Sequence, residues 1–249
     1  MRVNLFVTCI GDVVKANTLK KTVLLLEKLG CEVVFLSNQT CCGQPALNSG
    51  YTEQSIPAVK NLIKTFEEND YPIVAPAGSC VYSMKKYKYL FEEGDPWRER
   101  AAKLGERMHD LTDFIVNTLG VTDVGAELKG KAVYHASCSL WRKLGVVNEP
   151  LQLLRAVKGL ELLDFENSST CCGFGGTFSV KMAEVSGEMV KEKVSHINAV
   201  EPDYVIGADS SCLINIGGRI SREGNLDKIK VLHIVDVLVT DEELKAAGY

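Results

Sequence analysis

The sequence predicts an α/β protein in two duplicated halves, each a parallel sheet with helices on both faces. Three observations predict it. Short apolar runs alternate along the whole chain with segments whose apolar residues recur at helical spacing, the pattern of parallel strands joined by helices. Four cysteines recur in each half in one order: Cys9, Cys41, Cys42 and Cys80, then Cys138, Cys171, Cys172 and Cys212. Their spacings repeat too, with 32 positions from Cys9 to Cys41 against 33 from Cys138 to Cys171, and 38 from Cys42 to Cys80 against 40 from Cys172 to Cys212. Finally, the stretch GVTDVGAELKGK, 120–131, replaces apolar periodicity with glycines and charges, and it sets the halves at 1–125 and 126–249.

Taken in order, VNLFVTC reads as a buried strand ending at Cys9, and residues 13–29 as a helix stopped by Gly30. CEVVFLS is a second strand, followed by the loop TCCGQPALNSGY. Residues 53–69 read as a helix, YPIVAPAGSC as a third strand running into a loop at Cys80, and two more helices reach about Leu119. The second half repeats the order. KAVYHASC is a strand ending near Cys138, residues 147–158 a helix and GLELLDF a strand, and then comes the loop TCCGFGGTFSV. Residues 178–197 read as a helix, PDYVIGADSSC as a strand and loop ending at Cys212, and IKVLHIVDVL as a last strand or helix.

Composition narrows the function. The chain has 249 residues, 46% hydrophobic and 24% charged, with a net charge of −4. That length supports a large core without disulfides. No basic tract stands out, which argues against nucleic acid as a partner. No apolar run is long enough for a transmembrane segment, and the apolar start of MRVNLFVTCIGDVVK is too short for a signal peptide. The expected location is the cytoplasm, where thiols stay reduced, so nine cysteines point to metal or redox work rather than a disulfide framework.

The positions of eight of them make that argument stronger. Parallel strands share one C-terminal edge, which is where open α/β sheets bind ligands. In each half one cysteine ends the first strand, a pair follows the second and one follows the third, so four thiols gather at one rim. Cys31 has no counterpart and reads as structural. Adjacent cysteines do not easily chelate one ion, but they can bind two atoms of a larger cluster. An iron–sulfur cluster is therefore the first reading, with zinc or another ion, or bare redox thiols, as alternatives. Gly43 and Gly173 let the backbone approach a ligand, and Gly175 and Gly176 open a helix whose N–H groups could face it, or else make a tight turn. His135, in YHASC, stands where the first half has Phe6. It is the one weak catalytic candidate, able to bind metal or move a proton, or simply a hydrogen-bonded histidine at a strand end. KKYKY, 85–89, could dock an acidic partner or be a solvated helix face.

These motifs resemble the CCG-domain, or cysteine-rich-domain, iron–sulfur family, which includes a subunit of heterodisulfide reductase and the iron–sulfur subunit of glycolate oxidase. LFVTC, CCGQPALNSGY, CCGFGGTFSVKM and CLINIGGR are most similar to its lactate utilisation A members. The resemblance covers the whole chain. It implies two Rossmann-like halves with a cluster, [4Fe-4S] as the first expectation, in up to one site per half. It implies as ligands Cys9, Cys41, Cys42 and Cys80, then Cys138, Cys171, Cys172 and Cys212. It also implies electron transfer during oxidation of a 2-hydroxy acid, L-lactate to pyruvate, beside a ferredoxin-like iron–sulfur protein and a third subunit. The family's closing CxxC lacks its first cysteine here, being AGSC with Ala77 and DSSC with Asp209. Asp209 is a weak candidate ligand, or a helix cap. Two other functions stay open: a heterodisulfide-reductase-like thiol/disulfide catalyst, and a zinc-stabilised assembly module without activity. Neither half carries GxGxxG after its first strand, so no nicotinamide or flavin fingerprint is present.

Overall fold

The computed structural model describes residues 1–249. The first half contains strands β1 (Arg2–Leu5), β2 (Glu32–Val34), β3 (Ile73–Ala75) and β4 (Met108–Asp110), in the order β2-β1-β3-β4. The second contains β5 (Glu127–His135), β6 (Lys158–Leu163), β7 (Tyr204–Gly207) and β8 (Lys230–His233), in the matching order β6-β5-β7-β8. Every pairing is parallel. These are two Rossmann-like halves, and in each the chain leaves the first strand in one direction and returns on its other side. That reversal opens a crevice beyond the carboxyl ends of the strands.

The inner strands β1, β3 and β7 and the second half of β5 are buried on both faces, which is why they read as continuous apolar runs, while the edge strands β2 and β6 are only partly covered. Val3, Val74, Ala132, Tyr134 and Ile206 face a central core. Phe6, Ile73 and Ala75 face an outer core on the first half, and Val133 and Val205 face one on the second. The central core is shared. Leu25 and Leu26 from helix Ala16–Lys28 and Phe114 and Ile115 from segment Leu111–Thr118 join Leu153, Leu154, Ile234, Val235 and Leu238 in one cluster. Full burial of each such side chain is worth about 1.5–3 kcal/mol. Removing this layer would strip both halves at once, so they fold as one body.

The segment after the last strand of each half crosses to the other. Leu111–Thr118 packs on the second half's helix Glu149–Arg155, and helix Ile234–Leu238 packs on the first half's helix Ala16–Lys28. An isolated antiparallel bridge between Ala77 and Asp209 joins the halves at the strand ends.

Local boundaries differ from the sequence reading for identifiable reasons. β1 stops at Leu5, and Cys9 opens a short helix, Cys9–Val14, that breaks at Lys15 before the longer helix resumes. Thr8 caps that short helix, its Oγ1 accepting from Gly11 N at 3.1 Å, and the cap holds Cys9 in a first turn rather than a strand. β4 lies inside a stretch read as helix. It has three residues, and the buried Leu104, Leu111, Phe114 and Ile115 around it keep near-helical spacing. Within 120–131, residues from Glu127 onward already belong to β5, and Gly130, at φ 137°, absorbs an irregularity in its register with β6. GFGG forms a turn rather than a helix start, since Gly173, Gly175 and Gly176 all have positive φ.

Candidate metal centres

Each half builds its rim by the same device. In the first, Cys9 lies in the helix turn capped by Thr8. In the second, Cys138 opens a helical turn, Ser139–Leu144, that is fixed by Leu140 N donating to Ser137 Oγ at 3.4 Å. The carbonyl of the second cysteine of each pair is then tied to the helix bearing the fourth. Cys42 O accepts from Ser83 Oγ at 3.1 Å and from Tyr87 Oη at 2.8 Å, and Cys172 O accepts from Asn215 Nδ2 at 2.7 Å. Ser83 and Asn215 both stand three residues after the helix cysteine, Cys80 or Cys212.

The loops before the pairs are tied differently. Gln39 bridges β1 to the first loop, accepting from Val7 N and donating to Leu5 O, both at 2.9 Å. In the second half Arg142 donates to Ser169 O at 3.0 Å, and Lys193 Nζ donates to Asn167 O and, at 2.9 Å, to Ser168 O.

The thiols converge accordingly. Cys9 Sγ and Cys41 Sγ are 3.5 Å apart, with Cys9 exposed, Cys41 half-buried, and Cys42 and Cys80 buried. A cavity of about 40 Å³ lies against Cys9, Cys41, Cys42 and Cys80, and Phe174 and Asp209 of the other half wall it. In the second site Cys138 and Cys171 are half-buried, and Cys172 and Cys212 are buried. A larger cavity, about 380 Å³, lies beside the Cys138 turn, between it, helix Glu149–Arg155 and the end of β6, and is lined mainly by apolar groups such as Leu140, Trp141 and Phe165.

Without a cation these thiols cannot all ionise. The Cys42 and Cys9 thiols and the Gly43 N–H stabilise the Cys41 thiolate and draw its pKa down to about 2. Cys41 in turn pushes Cys9 and Cys42 well up, with burial adding to both. Cys171 and burial likewise push Cys138 up. A group that binds the thiolate set must supply positive charge and release protons.

Glycine conformation sets the second loop. Gly173 has φ 83°, and a Cβ there would lie 2.9 Å from Ser186 O. Its N–H donates to Cys171 Sγ at 3.4 Å. Gly43 has φ 74°, and a Cβ there would meet only Leu47 at an ordinary 3.7 Å, so it is the backbone conformation that is demanding.

His135 ends β5, is 1% exposed, and neither ring nitrogen has a hydrogen-bond partner. One ring nitrogen and the sulfurs of Cys172 and Cys212 lie within 4.8 Å of one another. Burial, with the nearby Lys193 cation second, draws its pKa down to about 3, so it is neutral. Asp209 is committed elsewhere. Its Oδ1 accepts from Ser211 N at 3.1 Å and Ser211 Oγ at 2.5 Å, and its Oδ2 from Ser79 N at 3.1 Å, so it caps helix Ser210–Arg222 and ties the halves. Cys31 lies alone in the central core. In KKYKY, Lys86 and Lys88 lie over the exposed Tyr89 ring on the solvated side, while Tyr87 turns inward, is fully buried and holds the Cys42 carbonyl.

Lys193 escaped the sequence reading. Its side chain is buried, and its pKa is lowered to about 8, by burial chiefly, while the thiols of Cys172, Cys171 and Cys212 act the other way. The signal was available, since Lys193 falls three residues after buried Val190, on the same helix stripe as Val194 and Ile197. Aligning that stripe with Val59, Ile63 and Phe66 sets Lys193 opposite Leu62.

Comparison with known proteins agrees with this geometry. No helix is long and apolar enough to cross a membrane. A solved structure of a hypothetical protein from Helicobacter pylori superposes on 99% of this chain with a TM-score of 0.63. It is 10% identical, and this chain spans 51% of it, so the likeness is one of fold. An uncharacterised Escherichia coli protein, YkgE, is 62% identical over 96% of this chain and all of its own length. Lactate utilization protein A of Geobacillus is 52% identical and that of Bacillus subtilis 50%, each over 96% of this chain and 99% of its own. The cysteine-rich domain (CCG) family matches residues 3–85 and again 132–217, the two stretches that carry the eight rim cysteines, and the chain belongs to that family.

Proposed function

We propose that the chain is an iron–sulfur subunit of a lactate-utilising oxidoreductase, with one cluster site in each half. The observation that carries this is the duplicated rim, four thiols converging at the carboxyl edge of each sheet from three separate segments. The donor set fits a cluster. Thiolates are the usual cluster ligands, an adjacent pair can serve two irons, and the buried thiols, held protonated when alone, call for a cationic group. Cys9, Cys41, Cys42 and Cys80 would hold the first cluster, and Cys138, Cys171, Cys172 and Cys212 the second, with [4Fe-4S] the expected type. Gly43, Gly173, Gly175 and Gly176 let the backbone close around each group.

A bound cluster supplies one-electron storage. The chain's own residues position it and set its charge. Gly173 N–H points at Cys171 sulfur, Lys193 places a cation behind the second site, and the Cys42 and Cys172 carbonyl ties hold the loops in place. Oxidation of L-lactate to pyruvate removes two electrons and two protons. The chain has no nicotinamide fingerprint, so a partner must take the hydride equivalent and hand electrons on singly. The relatives named for lactate utilisation support that substrate, and a ferredoxin-like iron–sulfur protein and a third subunit are the proposed partners in the cytoplasm. The division at 1–125 and 126–249 separates the two sites within one body. Zinc is the second reading, favoured by the compact nitrogen and sulfur set at His135, Cys172 and Cys212.

The test is anaerobic reduction. L-lactate should bleach the visible absorption of the loaded chain only when the partner proteins are present. Reduction by the chain alone, or none with the full set, would contradict the proposal.

A further inference from the structure

The second site holds a nitrogen donor that the first lacks. We infer that His135 is a ligand of the metal group in the second half, so that this site has mixed imidazole and thiolate coordination while the first is coordinated by thiolates alone. The inference rests on the cluster reading above and deepens it.

An unpartnered, fully buried imidazole is the first argument. A buried polar atom left without a partner is destabilising, and such atoms are uncommon enough to need a cause. His135 leaves both ring nitrogens in that state. Nothing in the surrounding protein supplies the missing partner, whereas a metal group held by Cys172 and Cys212 would lie within reach. The donor atoms of the three residues are within 4.8 Å of one another, close enough for one metal group to engage all three.

Strand geometry is the second. Side chains alternate along β5, so Val133 and His135 point to the outer face, where Cys172, Cys212 and Lys193 lie, while Tyr134 points to the central core. Phe6 occupies the same outer position in the first half and packs on Phe66 with ring centroids 6.2 Å apart. One ring is apolar and satisfied, the other a donor without a partner.

The third concerns what else could serve. Asp209, the position where the family's pattern has a further cysteine, uses both carboxylate oxygens to cap a helix and tie the halves. The other three histidines are engaged away from sulfur. His109 faces Asp113, His196 faces Glu166 and Asn167, and His233 accepts from Val235 N and donates to Pro76 O. A histidine nitrogen bound to metal in this chain therefore has one source.

The full chain carrying Cys41→Ser/Cys42→Ser, grown with ¹⁵N-histidine and reconstituted anaerobically with ⁵⁷Fe and sulfide, isolates the second site. Iron per chain, the Mössbauer spectrum of the oxidised form and the nitrogen hyperfine coupling of the dithionite-reduced form are measured. The expected result is bound iron, one iron distinct from the thiolate-bound ones, and a strongly coupled ¹⁵N. Both signatures should vanish in His135→Phe, while His135→Cys keeps the iron with all-thiolate signatures. The labelled protein with His135 intact gives the answer even if His135→Phe folds poorly. Bound iron without a distinct site or nitrogen coupling overturns the inference and leaves the cluster reading standing. No bound iron overturns the cluster reading for this half, and the inference with it.

Discussion

The two cysteine sites share a skeleton and differ in what surrounds it. Both place a capped turn, a CCG loop and a helix cysteine at one rim, and both tie the second cysteine's carbonyl to the helix residue three positions on. Behind the first site stand Phe6 and Leu62, fully buried and apolar. Behind the second, at matching positions, stand His135 and Lys193. Duplication has thus kept the parts that gather thiols and has let the electrostatic lining diverge. Two identical sites would have equal potentials and no preferred direction for an electron. A buried cation beside one of them lowers the energy of its reduced form, so the second site should be the easier to reduce.

The largest expected effect concerns another mismatched pair. Asp110 and His233 end β4 and β8 and cap the segments that cross between the halves. His233 is hydrogen-bonded through both ring nitrogens, but Asp110 has an unpartnered Oδ2, and burial raises its pKa from 3.8 to about 7. The unfolded carboxyl ionises first. Between about pH 4 and pH 7 the folded state therefore holds the extra proton, and stability falls as pH rises until the loss is complete above pH 7. In metal-free protein, the stability of Asp110→Asn relative to the native chain should rise by up to about 4 kcal/mol from pH 4 to pH 8. Denaturant unfolding at both pH values measures it, and a constant difference would mean Asp110 is not held neutral.

Lys193→Met sharpens the comparison of potentials. A unit charge several ångströms away is worth on the order of 2 kcal/mol at an effective dielectric of 20, which is close to 100 mV. Redox titration should find the second site's potential lowered by that order and the first unmoved. The matching change, Leu62→Met, should move neither. Equal potentials in the native chain would break the comparison.

The smallest effect separates the loop ties. Gln39→Ala removes two hydrogen bonds beside the first site, and it should cost about 1–2 kcal/mol and speed metal loss from that site alone. Arg142→Ala, at an exposed bond beside the second, should cost under about 1 kcal/mol. Chelator challenge of the two variants reads the difference, with one phase of iron release accelerated in Gln39→Ala and little change in Arg142→Ala.

Much of this was legible in the sequence because strand order and cysteine spacing repeat. Eight thiols at strand ends can be placed from periodicity and the rule for parallel sheets. What was not legible depends on contacts between distant residues. β4 is three residues long, and its partner β3 decides its state more than its own composition does. The exchange of segments Leu111–Thr118 and Ile234–Leu238 leaves no local pattern, since an apolar stripe does not say which half it will cover. Asp209 could be read as a helix cap or a weak candidate ligand; Ser211 takes one carboxylate oxygen as a cap, and Ser79, 130 positions away, takes the other. Lys193 shares the buried stripe of its helix with Val190, Val194 and Ile197, but nothing local says that thiols and loop carbonyls surround it.

The most direct measurement is iron, acid-labile sulfide and zinc per chain in anaerobically purified protein, alone and with Cys41→Ser/Cys42→Ser or Cys171→Ser/Cys172→Ser. Two cluster sites predict iron and sulfide in equal amounts, lowered by either double variant and abolished by both together. Zinc without sulfide, or no metal after anaerobic reconstitution, would contradict the account.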